Sequence, residues 1–249
     1  MFKSFFTCAF TCAAAALAVG LAGCGDKAPA DTPGKPSLAD ATSQKTVAAA
    51  KQVAVQSNLP KANRDTPMDS FVEYSSGNQL MFAYLALNAV PIDYKEVLNR
   101  YSMDYARQSD EFKKNDLLTA LKPKIDAEVD KAKSQRYVKM FVSNPIEKFD
   151  FEKKGFPVSE SIWQTGSYRY FSDNAEYKIG FTNGDGFRYL KPASEEDARK
   201  IEEMRSKYVP LQMAVYCYLQ DADISNKTIK AEIIKITLVD KNGNVLASQ

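Results

Sequence analysis

An α+β fold, in which N-terminal helices precede a mostly antiparallel β-sheet with one inserted helix, is predicted by three observations. Between Met68 and Gln135 apolar residues recur at three- and four-residue steps, the period of a helix stripe. After Gln135 aromatic and β-branched residues alternate with polar ones, the period of a strand. One further helical stripe, opening at Ser194, interrupts the second half. Helices grouped before antiparallel strands argue for α+β.

Each element has its own signal. Met68 to Asn88 is dense in Phe, Tyr, Leu and Met but broken by Ser75-Ser76-Gly77, which predicts a short helix or turn and then a helix from Asn78, an acceptable N-cap. Pro91 ends it. Tyr94, Val97, Leu98, Tyr101 and Tyr105 form one stripe of a helix starting near Asp93. Leu117, Leu118, Leu121, Ile125 and Val129 form another, with Lys124 and Glu128 on a solvated face. Pro123 falls inside that pattern and is expected to kink or divide it.

Arg136–Ser143, Ile146–Glu152 and Trp163–Phe171 read as strands, separated by Asn144-Pro145 and by the stretch from Gly155 to Ser161. Tyr177, Ile179 and Phe181 alternate with smaller and polar neighbours, and Asn183-Gly184-Asp185-Gly186 turns the chain into Phe187–Leu190, which predicts a hairpin. Ser194 with Asp197 caps a helix whose buried stripe is Ala198, Ile201, Met204 and Tyr208. Leu211 to Leu219 is apolar on both alternations, the pattern of a central strand. Thr228–Val239 and Val245–Ala247 form a last hairpin around Asn242-Gly243.

Ahead of Phe71 the composition differs. There is no aromatic residue between Phe10 and Phe71, prolines stand at 29, 33, 36, 60 and 67, and small and polar residues fill most of the rest. Such a segment buries too little apolar surface to offset the entropy of ordering it, so residues 24–67 read as a disordered tether, with transient helix at most from Thr42 to Gln56. The folded region is expected at 68–249, helices at 68–135 and sheet at 136–249.

The first 23 residues have the layout of a secretory signal: Lys3, an apolar run from Phe5 to Leu21, then small Ala22 and Gly23. At about 17 residues the run is marginal for a bilayer core that a helix crosses in about 20, which favours a removed signal over a retained span. Leu21-Ala22-Gly23-Cys24 resembles the lipobox of bacterial lipoproteins. The resemblance implies that Cys24 becomes the first mature residue and carries diacylglycerol and an acyl chain such as palmitate. Several acyl chains hold a protein to a membrane stably. Tyr74-Ser75-Ser76-Gly77-Asn78-Gln79-Leu80 and Ser194-Glu195-Glu196-Asp197-Ala198, with the lipobox, resemble a family of bacterial lipoproteins that carry a domain of unknown function, over roughly 68–248. In lipoprotein sorting an aspartate directly after the cysteine marks inner-membrane retention. Here Gly25 holds that place and Asp26 follows, so the expected location is the outer membrane, facing the periplasm, with the inner membrane as the alternative.

Composition bounds the chemistry. With 33 Lys plus Arg against 31 Asp plus Glu in 249 residues, the chain is near neutral and has no field to recruit nucleic acid. Cys8 and Cys12 lie in the signal, so Cys217 is left without an internal disulfide partner and reads as a buried small hydrophobe. The chain has no histidine, which removes Ser-His-Asp and Cys-His sites, the usual zinc sites and the commonest general base. Ser-x-x-Lys and phosphate-loop patterns are missing too. No cofactor or metal is expected. A hydrolase using two carboxylates survives this filter, although Glu195, Glu196 and Asp197 suit the positive end of a helix dipole.

Asp221, Asp223 and Asn226 have calcium-loop chemistry but lack the glycine and terminal glutamate of an EF-hand; a polar turn explains them. The candidate recognition surface is aromatic and basic: Tyr168, Arg169, Tyr170 and Phe171, with Phe187, Arg188 and Tyr189. Alternation sends Tyr168 and Tyr170 to one face, where a sugar, peptide or partner strand can stack; core packing is the competing explanation. The expected function is non-catalytic binding or assembly in the envelope, the partner being an envelope protein or glycan. A periplasmic inhibitor or immunity-type lipoprotein and a cell-wall or sugar hydrolase are the alternatives.

Overall fold

The computed structural model describes residues 58–164 and 166–249; the signal, Cys24 and the tether as far as residue 57 lie outside the described residues. The fold is α+β. Its helices are α1 (Gly77–Leu87), α2 (Tyr94–Tyr101), α3 (Met103–Arg107), α4 (Glu111–Ser134), α5 (Glu160–Trp163) and α6 (Glu195–Ser206). Its strands are β1 (Val72–Glu73), β2 (Tyr137–Ser143), β3 (Phe156–Pro157), β4 (Lys178–Phe181), β5 (Tyr189–Leu190), β6 (Leu211–Asp223), β7 (Thr228–Asp240) and β8 (Val245–Ser248). Six strands form one sheet in the order β1-β2-β6-β7-β4, with β8 also on β7, and β3 pairs with β5 separately. The β2, β6, β7 and β8 pairings are antiparallel, whereas β1 on β2 and β4 on β7 are parallel.

The long β6–β7 hairpin is the frame. Met213, Val215, Cys217, Ile233, Ile236 and Leu238 are fully buried, and α1 lies across them. Helix α1 is itself covered by α4, so it buries Leu80, Met81, Phe82, Ala83 and Tyr84 in succession and shows no single apolar stripe. Helix α4 has a conventional stripe, Ile125, Val129 and Ala132.

Several local readings are corrected. The cap of α1 is Ser76, in a capping box with Gln79; Asn78 is already inside the helix. Residues 68–70 make a single 3₁₀ turn, and the next residues form β1. Asp93 caps α2 as expected, but its stripe is divided at Ser102, which caps α3. Pro123 does not divide α4, which runs unbroken through it; Pro123 is exposed, so solvent reaches the carbonyl that its missing N–H leaves free. Tyr208 is 92% exposed, because the helix ends at Ser206 and Tyr208 adopts φ +55.

The middle of the chain departs most. Ile146–Glu152 makes only isolated bridges, Ile146 with Val158 and Asp150 with Gly155. Asp150 turns the chain there by accepting from the Glu152 and Lys153 N–H groups, both 2.9 Å. The stretch from Gly155 to Ser161 is not a plain connection, since it contains β3 and opens α5. Trp163 ends α5, and among the described residues of 163–171 only Arg169 bridges a strand, at Ile179. The hairpin expected at 177–190 does not form: β4 joins β7 in parallel and β5 joins β3. Gly184 lies so close under α5 that a Cβ would stand 2.4 Å from the Ile162 carbonyl oxygen, and residues 184–187 form a 3₁₀ turn.

Both flanks of the sheet are finished by unusual means. The outer edge of β7 is paired with β4 at one end and β8 at the other. Between them the Asn183 side chain imitates a strand, donating from Nδ2 to Ile233 O and accepting from Ile233 N–H at Oδ1, both 2.8 Å. The face away from α1 is crossed by residues 60–71. Phe71 is wedged edge-on against Tyr137 and Tyr216, with centroids 5.4 and 5.3 Å away, and the contacts upstream of it reach back to Pro60.

Candidate functional site

The segment that sequence singled out splits by burial. Tyr168 and Tyr170 are 46% and 55% exposed and tilt against each other at 6.4 Å, with Lys178 Nζ 4.4 Å over Tyr168. Alternation places them correctly on one face. Arg169 points the other way and donates to Ser161 Oγ at 2.9 Å; burial pushes its pKa below the usual arginine value. Phe171 is half-buried against the core, and Phe187 belongs to the core. Arg188 stacks 4.6 Å over Trp163 and pairs with Asp185 at 2.7 Å. Tyr189 is half-buried in β5. Tyr168 and Tyr170 thus contact each other and Lys178, while Arg169 and Arg188 both reach side chains of α5, Ser161 and Trp163.

A better-formed concavity lies further along the β3–β5 unit. There a cleft of ≈730 Å³ opens between the 149–154 turn and the first turns of α6. Phe149, Phe151 and Pro192 supply apolar wall, and Lys154, Arg199 and Glu202 supply charge. The sequence dictates this locally. Residues two apart in extended backbone share a side, so Phe149 and Phe151 meet, ring centroids 5.1 Å apart. The Asp150 turn then sends the chain back. Phe149 also packs on buried Phe156, which anchors the pair, while Phe151 remains 84% exposed.

On the facing side Ser194 Oγ caps α6 by accepting from Asp197 N–H at 3.1 Å. Glu195, Glu196 and Asp197 sit in its first turn, where the helix dipole favours them. Glu195 pairs with Arg199 at 2.6 Å. Glu202 accepts from Arg205 Nη2 and Nε, at 2.6 and 2.9 Å, and from Phe149 N–H at 3.2 Å. The Arg205 guanidinium keeps Glu202 below the ordinary carboxylate range, against the opposing effect of burial. The cleft offers an aromatic platform and paired charges, suited to stacking and shape recognition.

Sequence reading missed Phe149 and Phe151 as site residues because they fell in an expected strand; the Phe-Asp-Phe run followed by Lys153-Lys154-Gly155 was the available sign of a turn. Elsewhere, a shallower hollow of ≈700 Å³ beside α3 and α4 is walled by Asp104, Arg107, Lys113 and Asp116. Lys227 pairs with Glu96 and Glu176, and Glu176 with Arg100 at 2.7 Å, which ties the β6–β7 turn to α2. Asp221 pairs with Lys230 at 3.3 Å and Asp223 accepts from Ser225, so both act within their own hairpin. Among the described residues no group of three or more acidic or cysteine side chains is placed to hold a metal ion.

No family model, curated protein or solved structure matches the chain, so the resemblance to bacterial lipoproteins rests on the residues named for it.

Proposed function

We propose that this chain is a lipid-anchored bacterial envelope protein, facing the periplasm from the outer membrane, that works by binding a partner at the α6 cleft without catalysis. The observation that carries the binding role is the exposed Phe151 ring held at the mouth of a concave apolar cleft by half-buried Phe149, which packs in turn on buried Phe156. Exposed aromatic rings on a fixed support are effective anchors for apolar side chains and sugar faces. The lipobox at Cys24 and the aromatic-free stretch after it support the anchor.

The cleft is poorly suited to a two-carboxylate hydrolysis. Glu195 and Glu202 both stand on α6, seven residues apart. Each is committed to an arginine, and a general acid needs a raised pKa, the opposite of the direction at Glu202.

The test is crosslinked capture from native envelope with the acylated chain, a Cys24→Ala form and a Phe151→Ala form, alongside mass spectrometry of the mature N-terminus. The acylated chain is expected to recover a partner that Phe151→Ala loses. Equal recovery by Phe151→Ala would remove the cleft from the proposal, an unlipidated N-terminus would remove the anchor, and clearance of peptidoglycan by the purified chain would overturn the non-catalytic reading.

A further inference from the structure

Residues 60–64 lie on the outer face of the sheet as a ligand lies on a receptor. Pro60 O accepts from Gln220 Nε2 at 2.8 Å, and Ala62 N–H donates to Glu232 Oε2 at 3.0 Å. Asn63 N–H donates to the Tyr137 hydroxyl at 2.9 Å, and Arg64 pairs with Glu232 at 3.2 Å. None of residues 58–70 is buried. Beneath them the receiving groups have partners of their own: Glu232 and Gln220 are 7% and 3% exposed under the segment, Gln220 is steadied by Thr182 Oγ1 at 2.7 Å, and the Tyr137 ring tilts against Tyr218 at 5.0 Å. The asymmetry is in the charges, since the Arg64 side chain is 62% exposed and that of Glu232 only 9%. The Glu232 carboxylate thus takes its cation and its shorter N–H donor from a solvent-exposed segment, the sheet itself supplying only Gln220 Nε2 at 3.5 Å.

We propose that this face is a peptide-binding surface, occupied in cis by residues 60–64, that accepts from a partner an extended basic segment of the same chemistry: a proline carbonyl, backbone donors two and three residues later, and a cation at the fourth. It is independent of the α6 cleft. Charge complementarity selects the occupant, because the covered Glu232 carboxylate calls for a cation beside backbone donors, and a neutral glycan or a lipid tail supplies no cation. The segment is joined to Phe71 by a short connection, so its effective concentration is of order millimolar. A competing peptide therefore works at millimolar concentration unless it adds contacts of its own.

The test uses the full chain and a synthetic peptide spanning residues 58–66. At millimolar peptide, amide exchange over 60–64 of the protein is expected to accelerate at least fivefold, and a scrambled peptide of the same charge is expected to leave it unchanged. A chain carrying Ala62→Pro and Arg64→Ala, which removes one donor and the cation, is expected to bind the labelled peptide at least tenfold more tightly than the wild-type chain, and Glu232→Gln on that background to abolish the gain. Unchanged exchange in the wild type, or equal acceleration by the scrambled peptide, would overturn the proposal whether or not the double variant folds.

Discussion

Gly77 and Asn174 are in direct backbone contact: a Cβ on Gly77 would stand 2.5 Å from the Asn174 carbonyl oxygen and 2.7 Å from its Cβ. The contact fixes the start of α1 against the 172–174 turn. Both neighbours are backbone or its first carbon, so neither can move aside alone. Gly77→Ala is expected to destabilise the fold by about 1–3 kcal/mol through overpacking, read as a lower urea midpoint at unchanged m-value.

Asp173 reinforces the same joint by accepting from Ser76 Oγ at 2.6 Å and Gly77 N–H at 2.8 Å. Burial alone would raise its pKa, but these donors outweigh it and the net shift is downward. A depressed folded-state pKa means that its stabilisation is present above the ordinary aspartate value, about 3.9, and is lost as pH falls through the lower folded value. The difference in urea midpoint between wild type and Asp173→Asn should shrink across that window. A difference that stays constant down to pH 2 would show that the charge contributes nothing.

Asn183 closes the gap in the β7 edge with two hydrogen bonds to Ile233. Asn183→Ala leaves both polar groups of a fully buried residue unpaired and should cost about 2–3 kcal/mol. Asn183→Asp keeps the acceptor for the Ile233 N–H and loses the donor. The chemical shift of the Ile233 amide should therefore collapse toward solvent values in the alanine form alone.

Cys217 is fully buried, and burial pushes its thiol pKa well up. Its alkylation by iodoacetamide, mapped by mass spectrometry, should be negligible in the native chain and rapid in denaturant. Native labelling at the rate of a free thiol would contradict the packing of β6.

Phe151 is solvated in the isolated chain, so Phe151→Ala should change stability by no more than about 0.5 kcal/mol. A larger loss in thermal or urea unfolding would mean that the ring supports the fold, and its loss of partner capture could no longer be assigned to recognition.

The elements legible in sequence are those whose signal is long or capped. β6 and β7 each run 13 residues, with β6 apolar on both alternations from Met213 to Leu219, Asn242-Gly243 closes the β7–β8 turn, and Asp93 and Ser194 stand where the caps of α2 and α6 are found. Between 146 and 190 the same residue types mislead. Strand-like runs there are held by side chains reaching backbone groups, such as Trp163 Nε1 to Val158 O at 2.7 Å and Asn183 to Ile233, and such bonds leave no period. The exposed Tyr168 and Tyr170 pair was legible because alternation fixes side. The cleft was not, because it arises where the 149–154 turn and α6, some forty residues later, come together.

The side-chain plug at Asn183 also has a meaning for crowded molecules. Sheets grow into fibrils by recruiting a neighbour's backbone onto an open ladder, and along β7 the rungs are already taken by β4, Asn183 and β8. However densely copies gather, that flank gives them nothing to polymerise on.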